Sequence, residues 1–260
     1  MTEKWLSFII RPMNKNQPKT EYPLTLLEET DSTNRVAREL AQKGAPQGAA
    51  VVAKGQTAGY GRMGRAFFSP KGSGLYCSVI LRPDPKAFDA ARVTVTAAVA
   101  VAEAVEQVLG LALSVKWVND LYFRHKKVCG ILAQGQTEGE SFACILGIGL
   151  NVYAPKEGFG ELDPIAGALL EGEPDPKIMD GLRDEILDRF FALYRGDFAP
   201  CLAEYRRRSF LTHKTVTVVQ GEKRLRGIVR GIDERGALLV ELGGTVTAFS
   251  SGEIALEDYR

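Results

Sequence analysis

The chain has 260 residues, 45% of them apolar and 25% charged, which is enough apolar mass for one sizeable core without metal or disulfide support. Lys+Arg 33 against Asp+Glu 32 leaves a net charge of +1 and no basic stripe, which speaks against nucleic acid as the main partner. Cys77, Cys129, Cys144 and Cys201 show no C-x-x-C spacing, Met1 to Ile10 hold no signal-peptide pattern, and no apolar run approaches the ~20 residues of a membrane span. The expectation is a reduced, cytoplasmic protein with buried thiols and no membrane contact.

In chain order, the polar stretch around Met13 to Pro18 reads as an N-terminal arm over residues 1–22. Leu24 to Leu27 is a short strand. A helix follows, with Asp31, Ser32 or Thr33 as cap, Val36, Ala37, Leu40 and Ala41 on its apolar face, and Gly44 as its stop. Ala49 to Ala53 is a second strand. The pattern then breaks into a loop from Gly55 to Gly74 with glycines at 55, 59, 61, 64, 72 and 74. Leu75 to Leu81 resumes as a strand, and Val93, Ala97, Ala98, Val101, Ala102, Val105 and Leu109 mark a long helix with an apolar stripe. Strand-like runs follow at Leu113 to Trp117, Val128 to Ala133 and Phe142 to Leu150. Helices follow over Asp175 to Tyr194 and Phe198 to Arg207. From about Leu211 the texture changes to short β-rich runs (Thr215 to Val219, Leu225 to Val229, Ala237 to Leu242, Val246 to Phe249) separated by glycine turns. The reading is an α+β (mixed α/β) domain over 23–210 and a small β-barrel over 211–260.

Three clusters carry chemistry. Gly59-Tyr60-Gly61-Arg62-Met63-Gly64 fits G-x-G-x-x-G, but the following Arg65-Ala66-Phe67-Phe68-Ser69-Pro70 cannot open the helix a dinucleotide site requires. What remains is a flexible loop with two guanidiniums, Arg62 and Arg65, suited to carboxylate or phosphate; an ordinary surface loop is the plain alternative. Lys116-Trp117-Val118-Asn119-Asp120 places charge where a strand runs into a turn, and Lys127 enters the apolar strand behind it. Two cations beside one carboxylate suit a triphosphate with Mg²⁺, against the plain reading of a hairpin turn. Asp31-Ser32-Thr33-Asn34 gathers donors and acceptors at a helix start, where a simple N-cap also accounts for them.

Taken together these stretches resemble the biotin–protein ligase family. The resemblance rests on Asp31-Ser32-Thr33-Asn34, Gln56 to Arg65, Lys116 to Asp120, Lys127 before Gly130-Ile131-Leu132, and Gly147-Ile148-Gly149-Leu150-Asn151, in the family's order over roughly residues 25 to 155. It implies a catalytic domain akin to the class II aminoacyl-tRNA synthetase core, followed by an SH3-like barrel. It also implies that the enzyme activates biotin with ATP and Mg²⁺ to biotinyl-5'-adenylate. The biotinyl group then passes to a lysine of a biotin carboxyl carrier domain in a biotin-dependent carboxylase, acetyl-CoA carboxylase first among them.

By resemblance Ser32, Thr33, Asn34, Gln56, Gly59, Tyr60, Gly61 and Lys127 meet biotin, with Ser32, Thr33 and Gln56 at its ureido group. Arg62, Arg65, Phe67, Asn119 and Asn151 meet ATP, with Phe67 flanking the adenine. Lys127, Arg62, Arg65, Lys116 and Asp120 carry the reaction, and Asp120 is the candidate for Mg²⁺. Tyr60, Phe67 and Val118 depart from the arginine, tryptophan and proline usual at those places. Regulatory members carry an N-terminal DNA-binding domain of some sixty residues, and only about two dozen precede Leu24, so the resemblance points to the monofunctional type, with homodimerisation open. The alternatives are a lipoate or octanoate ligase of the same superfamily, a biotin-sensing repressor, or a degenerate binding module.

Overall fold

The computed structural model describes residues 22–138 and 141–256. The arm expected over residues 1–22 therefore lies, apart from Tyr22, outside the described residues. In chain order the elements of the first half are β1 (Leu24–Leu27), α1 (Thr33–Gln42), β2 (Ala50–Ala53), β3 (Gly74–Leu81), α2 (Ala90–Leu109), β4 (Ser114–Lys116) and β5 (Asp120–Phe123). There follow β6 (Lys126–Glu138), β7 (Ser141–Asn151), α3 (Pro176–Arg195), α4 (Phe198–Arg208) and β8 (Thr215–Gln220). The chain closes with β9 (Lys223–Ile232), β10 (Leu238–Leu242), β11 (Thr245–Phe249) and β12 (Glu253–Leu256). By compactness, the described residues of 22–90 and 123–185 form one unit, and those of 91–122 and 186–256 form a second.

The first unit holds a mixed sheet with strand order β1-β2-β3-β7-β6. The β1–β2 pair is parallel, and the other pairs in that series are antiparallel. β3 is buried along its whole length, which is why its sequence is a nearly unbroken apolar run rather than an alternating one. α1 lays Ala37 and Ala41 onto Val51, Ile80 and Ile145, with Val36 and Leu40 packed at the edge of that cluster. Small side chains let the helix sit close to the sheet. Its C-terminus is closed by Arg82, whose Nη2 donates to the carbonyls of Ala41 at 2.7 Å and Ala45 at 2.8 Å, where the helix leaves acceptors unsatisfied.

In the second unit α2 is buried continuously from Val93 to Ala102, not along a stripe alone, because alanine and valine leave it apolar on nearly every side. The antiparallel sheet that follows α4 has the order β11-β10-β9-β8-β12. β5 and β12 were not expected from the sequence. Each is four residues long and begins on a carboxylate, and each is made a strand by its partner, β4 and β8 respectively.

Arg208 ends α4 with a buried side chain. It donates to Glu204 at 2.6 Å and to Glu106 of α2 at 2.5 Å. The guanidiniums of Arg207 and then Arg208 hold Glu204 at about 2, below its ordinary 4.5. A depressed carboxylate adds stability above its unfolded pKa, and that stability is lost as pH falls through the folded value. Arg208→Met should lower unfolding stability by about 2–3 kcal/mol at pH 7. In urea titrations the gap between wild type and variant should narrow as pH falls from 4.5 towards 2.

Candidate active site

The site begins at the start of α1. Ser32 occupies the N-cap position, yet its side chain makes no capping bond. The capping acceptor comes from 23 residues away: Gln56 Oε1 takes the Thr33 N–H at 2.8 Å and the Thr33 hydroxyl at 3.0 Å. Gln56 Nε2 donates in turn to Ser69 Oγ at 2.9 Å, and Ser69 donates to the Phe67 carbonyl at 2.9 Å. One glutamine thus ties the helix start to both limbs of the glycine-rich loop. Asp31 accepts from Ser32 N and Thr30 Oγ1 and pairs with Arg35, whose hydrogen bond is the main reason its pKa falls to about 2. Asp31 is therefore a helix-start brace rather than part of the polar chain.

Ser78 continues the chain from β3. Its Oγ lies 2.8 Å from Thr33 Oγ1 and 2.6 Å from Asn34 Oδ1, fully buried. The sequence reading did not single it out. The signal available was one polar residue in the middle of an otherwise apolar strand, which needs a partner once buried.

Beside this chain three positions of the floor lack a side chain. A Cβ on Gly147 of β7 would stand 2.4 Å from Asn34 Oδ1, and one on Gly149 would stand 2.5 Å from the Phe67 ring. Gly130 of β6 pairs with Gly149, and a Cβ there would lie 3.2 Å from Phe67 and 3.6 Å from Lys127 Cε. Phe67 therefore lies on bare backbone, and the Lys127 side chain runs to the same spot. The ring edge of Tyr76 meets Phe67 at 6.5 Å, and burial pushes the Tyr76 hydroxyl up to about 12.

Lys127 and Asn151 are placed by one passing segment. Lys127 N donates to Ile165 O at 2.8 Å, and Gly167 N donates back to Lys127 O at 2.9 Å. Buried Asn151 donates from Nδ2 to Gly167 O at 3.0 Å. The loop from Gly59 to Phe67 folds on itself through Gly61 N to Arg65 O and Phe67 N to Gly59 O, both 2.8 Å, with a single 3₁₀ turn at Arg62–Gly64. No α-helix follows it, as the sequence required. Arg65 is exposed and Arg62 half-exposed at the turn.

Lys116, Asn119 and Asp120 belong to the second unit, at the β4–β5 hairpin, where Lys116 pairs with Asp120 across the ladder. The hairpin is fastened by its neighbours in that unit. Trp117 Nε1 donates to Gly236 O at 2.9 Å, and the Tyr205 hydroxyl donates to Val118 O at 2.8 Å. Among the described residues no group of three or more His, Cys, Asp or Glu side chains could hold a metal ion. All four cysteines are free and buried; burial pushes Cys77 and Cys144 up to about 12, and Cys201 to about 11.

A helix start, a glycine-rich loop and two glycine-bearing strands come together beside Lys127. Comparison with known proteins identifies the class. Residues 26–151 match the biotin/lipoate A/B protein ligase family, and residues 214–256 match the biotin protein ligase C terminal domain. The chain is 36% identical to the bifunctional ligase/repressor BirA of Bacillus subtilis, over 86% of this chain and 71% of that protein. It is 32% identical to the biotin--[acetyl-CoA-carboxylase] ligase of Paracoccus denitrificans, over 83% and 92%. The biotin protein ligase from Aquifex aeolicus, solved in complex with biotin and ATP, superposes with a TM-score of 0.73 at 28% identity, covering 90% of this chain and 98% of that one. The chain belongs to the biotin protein ligase family.

The glycine floor makes a direct prediction. Gly147→Ala forces Asn34 out of place and should cost ~1–3 kcal/mol in urea unfolding, the scale of overpacking a tight core. Asn34→Ala on that background should recover most of the loss, because the colliding amide is gone.

Proposed function

We propose that this ligase activates biotin with ATP to biotinyl-5'-adenylate and transfers the biotinyl group to one lysine of a biotin carboxyl carrier domain, that of acetyl-CoA carboxylase first. The observation that carries the reading is the fixed polar chain beside the glycine floor. Both lone pairs of Gln56 Oε1 are taken by Thr33, and one Nε2 hydrogen by Ser69, so the amide has one N–H left to donate. Thr33 Oγ1 gives its proton to Gln56 and receives Ser78 Oγ on one lone pair, which leaves the other to accept. A donor beside an acceptor matches the C=O and N–H of a cyclic urea.

A carboxylate is a poor acyl donor until it carries a good leaving group. In the proposed first step a biotin carboxylate oxygen attacks the α-phosphorus of ATP, and the bond to the β-phosphate oxygen breaks as pyrophosphate departs. Both reactants are anionic, so the protein's task is positioning and positive charge. Lys127, whose side chain ends beside Phe67 over Gly130, bridges the carboxylate and α-phosphate oxygens. Arg62 and Arg65 hold phosphate from the loop, Phe67 flanks the adenine, and Asn151 braces the segment at the nucleotide end. By the family resemblance Lys116 and Asn119 would serve the phosphates, and Asp120 would be the residue to hold Mg²⁺. One carboxylate would suffice for an ion that enters with the nucleotide, since Mg²⁺ commonly keeps phosphate and water ligands. In the second step the carrier lysine, as free amine, attacks the adenylate carbonyl and AMP leaves.

We assign the catalytic domain to 23–210 and the barrel to 211–260, supported by the second sheet, whose strands begin at Thr215. A cytoplasmic setting is supported by four free, buried cysteines, as thiols stay reduced there. The test is transfer: protein, MgATP, labelled biotin and a carrier domain should give labelled carrier, with one pyrophosphate released per label. Absence of label under those conditions removes the proposal.

Lys127→Ala should slow biotin-dependent ATP–pyrophosphate exchange by ~10²–10³-fold, the scale for losing one preorganised charge-stabilising group. A near-normal rate removes Lys127 from its role. Arg62→Gly should still make the adenylate but release it into solution, since losing a bond to a charged group is worth about ten- to a hundred-fold in retention. A streptavidin blot with a lysine-rich bystander protein reads the leak. If the bystander stays as unlabelled as with wild type, Arg62 does not retain the adenylate.

A further inference from the structure

The glycine-rich loop is also held by a residue outside the site described so far. Arg38 lies on α1 one turn beyond Asn34, so both side chains leave the same face of the helix. Its Nη2 donates to the Tyr60 hydroxyl at 3.2 Å and to Gln134 Oε1 of β6 at 3.4 Å. Tyr60 stands between Gly59 and Gly61, where the backbone has most freedom to lose. The bonds from Gly61 N to Arg65 O and from Phe67 N to Gly59 O close the loop upon itself, while Gln56 and Phe67 seat its two limbs on α1 and on the sheet. The Tyr60–Arg38 bond connects the loop to α1, and the Gln134 bond connects the same guanidinium to β6.

The location gives the contact its meaning. Leu132 pairs with Gly147, which lies under Asn34, and Gln134 is two residues further along β6, away from Gly130 and Lys127. Arg38 therefore sits at the ring end of the site, opposite the end where the reacting carboxylate meets Lys127. A guanidinium suits this place because it offers five N–H groups in a fixed fork and can serve acceptors on two elements at once.

We propose that Arg38 is a positioning residue. Through Tyr60 and Gln134 it holds the 59–67 hairpin over the ring end of the site and sets how long biotin stays bound. The dwell-time part rests on the biotin reading above; the latch itself does not. In this chain tyrosine at 60 is not a lost charge in the loop, because the charge at that corner comes from the helix instead.

Amide hydrogen exchange on the ligand-free full chain tests the latch without any substrate. Arg38→Ala and Tyr60→Phe should each raise exchange at the Gly61 and Phe67 amides by ~5–10-fold, the scale for one bond to a charged group in a half-exposed setting. Exchange in β2 and β3 should match wild type. The double variant should be no faster than either single one, since both break the same contact. Arg38→Lys should rescue only in part, and biotin dissociation should quicken by the same factor as the loop amides. Gln134→Leu gives a second route that leaves α1 untouched should Arg38→Ala fail to fold. Loop amides that exchange at the wild-type rate in Tyr60→Phe, or effects that add in the double variant, overturn the proposal. Wild-type protein lacking biotin-dependent ATP–pyrophosphate exchange, with loop exchange behaving as stated, would remove the biotin reading and leave the latch standing.

Discussion

Three backbone positions without side chains organise the first unit. Gly130, Gly147 and Gly149 lie on two adjacent strands, and at each a single methyl group would press on Asn34 or Phe67. An ordinary antiparallel pair presents a row of side chains on each face. Here that row is interrupted at three positions, and the space is filled by a helix start and a loop. Asn34 can reach Ser78 only because Gly147 leaves room, and Phe67 can sit against β7 only because Gly149 does. The loop needs Phe67 seated, since Ser69 holds the Phe67 carbonyl while receiving Gln56. The constraint is steric before it is chemical.

Upon that floor a single glutamine does what a capping side chain and a loop tether would otherwise do separately. The start of α1 leaves amide protons without partners, and Gln56 satisfies the one on Thr33 from a segment distant in sequence. Loop and helix are thereby coupled: Gln56 cannot move without uncapping the helix. This coupling gives a flexible, glycine-rich segment a defined resting position, and it leaves each polar group with a known remaining capacity. The recognition chemistry proposed for the site follows from counting what the network leaves over.

Much of the layout was legible in the sequence because its periods are strong. Leu24 to Leu27, Ala49 to Ala53 and Leu75 to Leu81 are strands within a residue of the expected bounds, and the helices at Thr33, Pro176 and Phe198 begin close to the expected positions. β5 and β12 were hidden because four residues starting on a carboxylate carry no period of their own. α2 looked one-sided because Val95, Val99, Ala100 and Ala104 fall off the counted stripe, yet they are buried as fully as the residues on it. At the site, the family resemblance pointed to Thr33, Gln56, Phe67 and Lys127. It could not show that Gln56 caps the helix, that Ser78 completes the chain, or that Arg38 and Gln134 meet Tyr60. Those contacts join residues up to 96 apart in sequence, so only tertiary structure displays them.

The central claim is that the Thr33–Gln56 chain on the glycine floor recognises a cyclic urea. Calorimetric titration of the ligand-free chain with biotin and with lipoate, which shares the acidic tail but lacks the ureido group, tests it most directly. Biotin should bind at least ~100-fold more tightly, because a site built to pair buried donors and acceptors rejects an analogue that leaves them unpaired. Gln56→Leu should remove most of that preference. Equal affinity for the two acids, or a preference untouched by Gln56→Leu, would contradict the account.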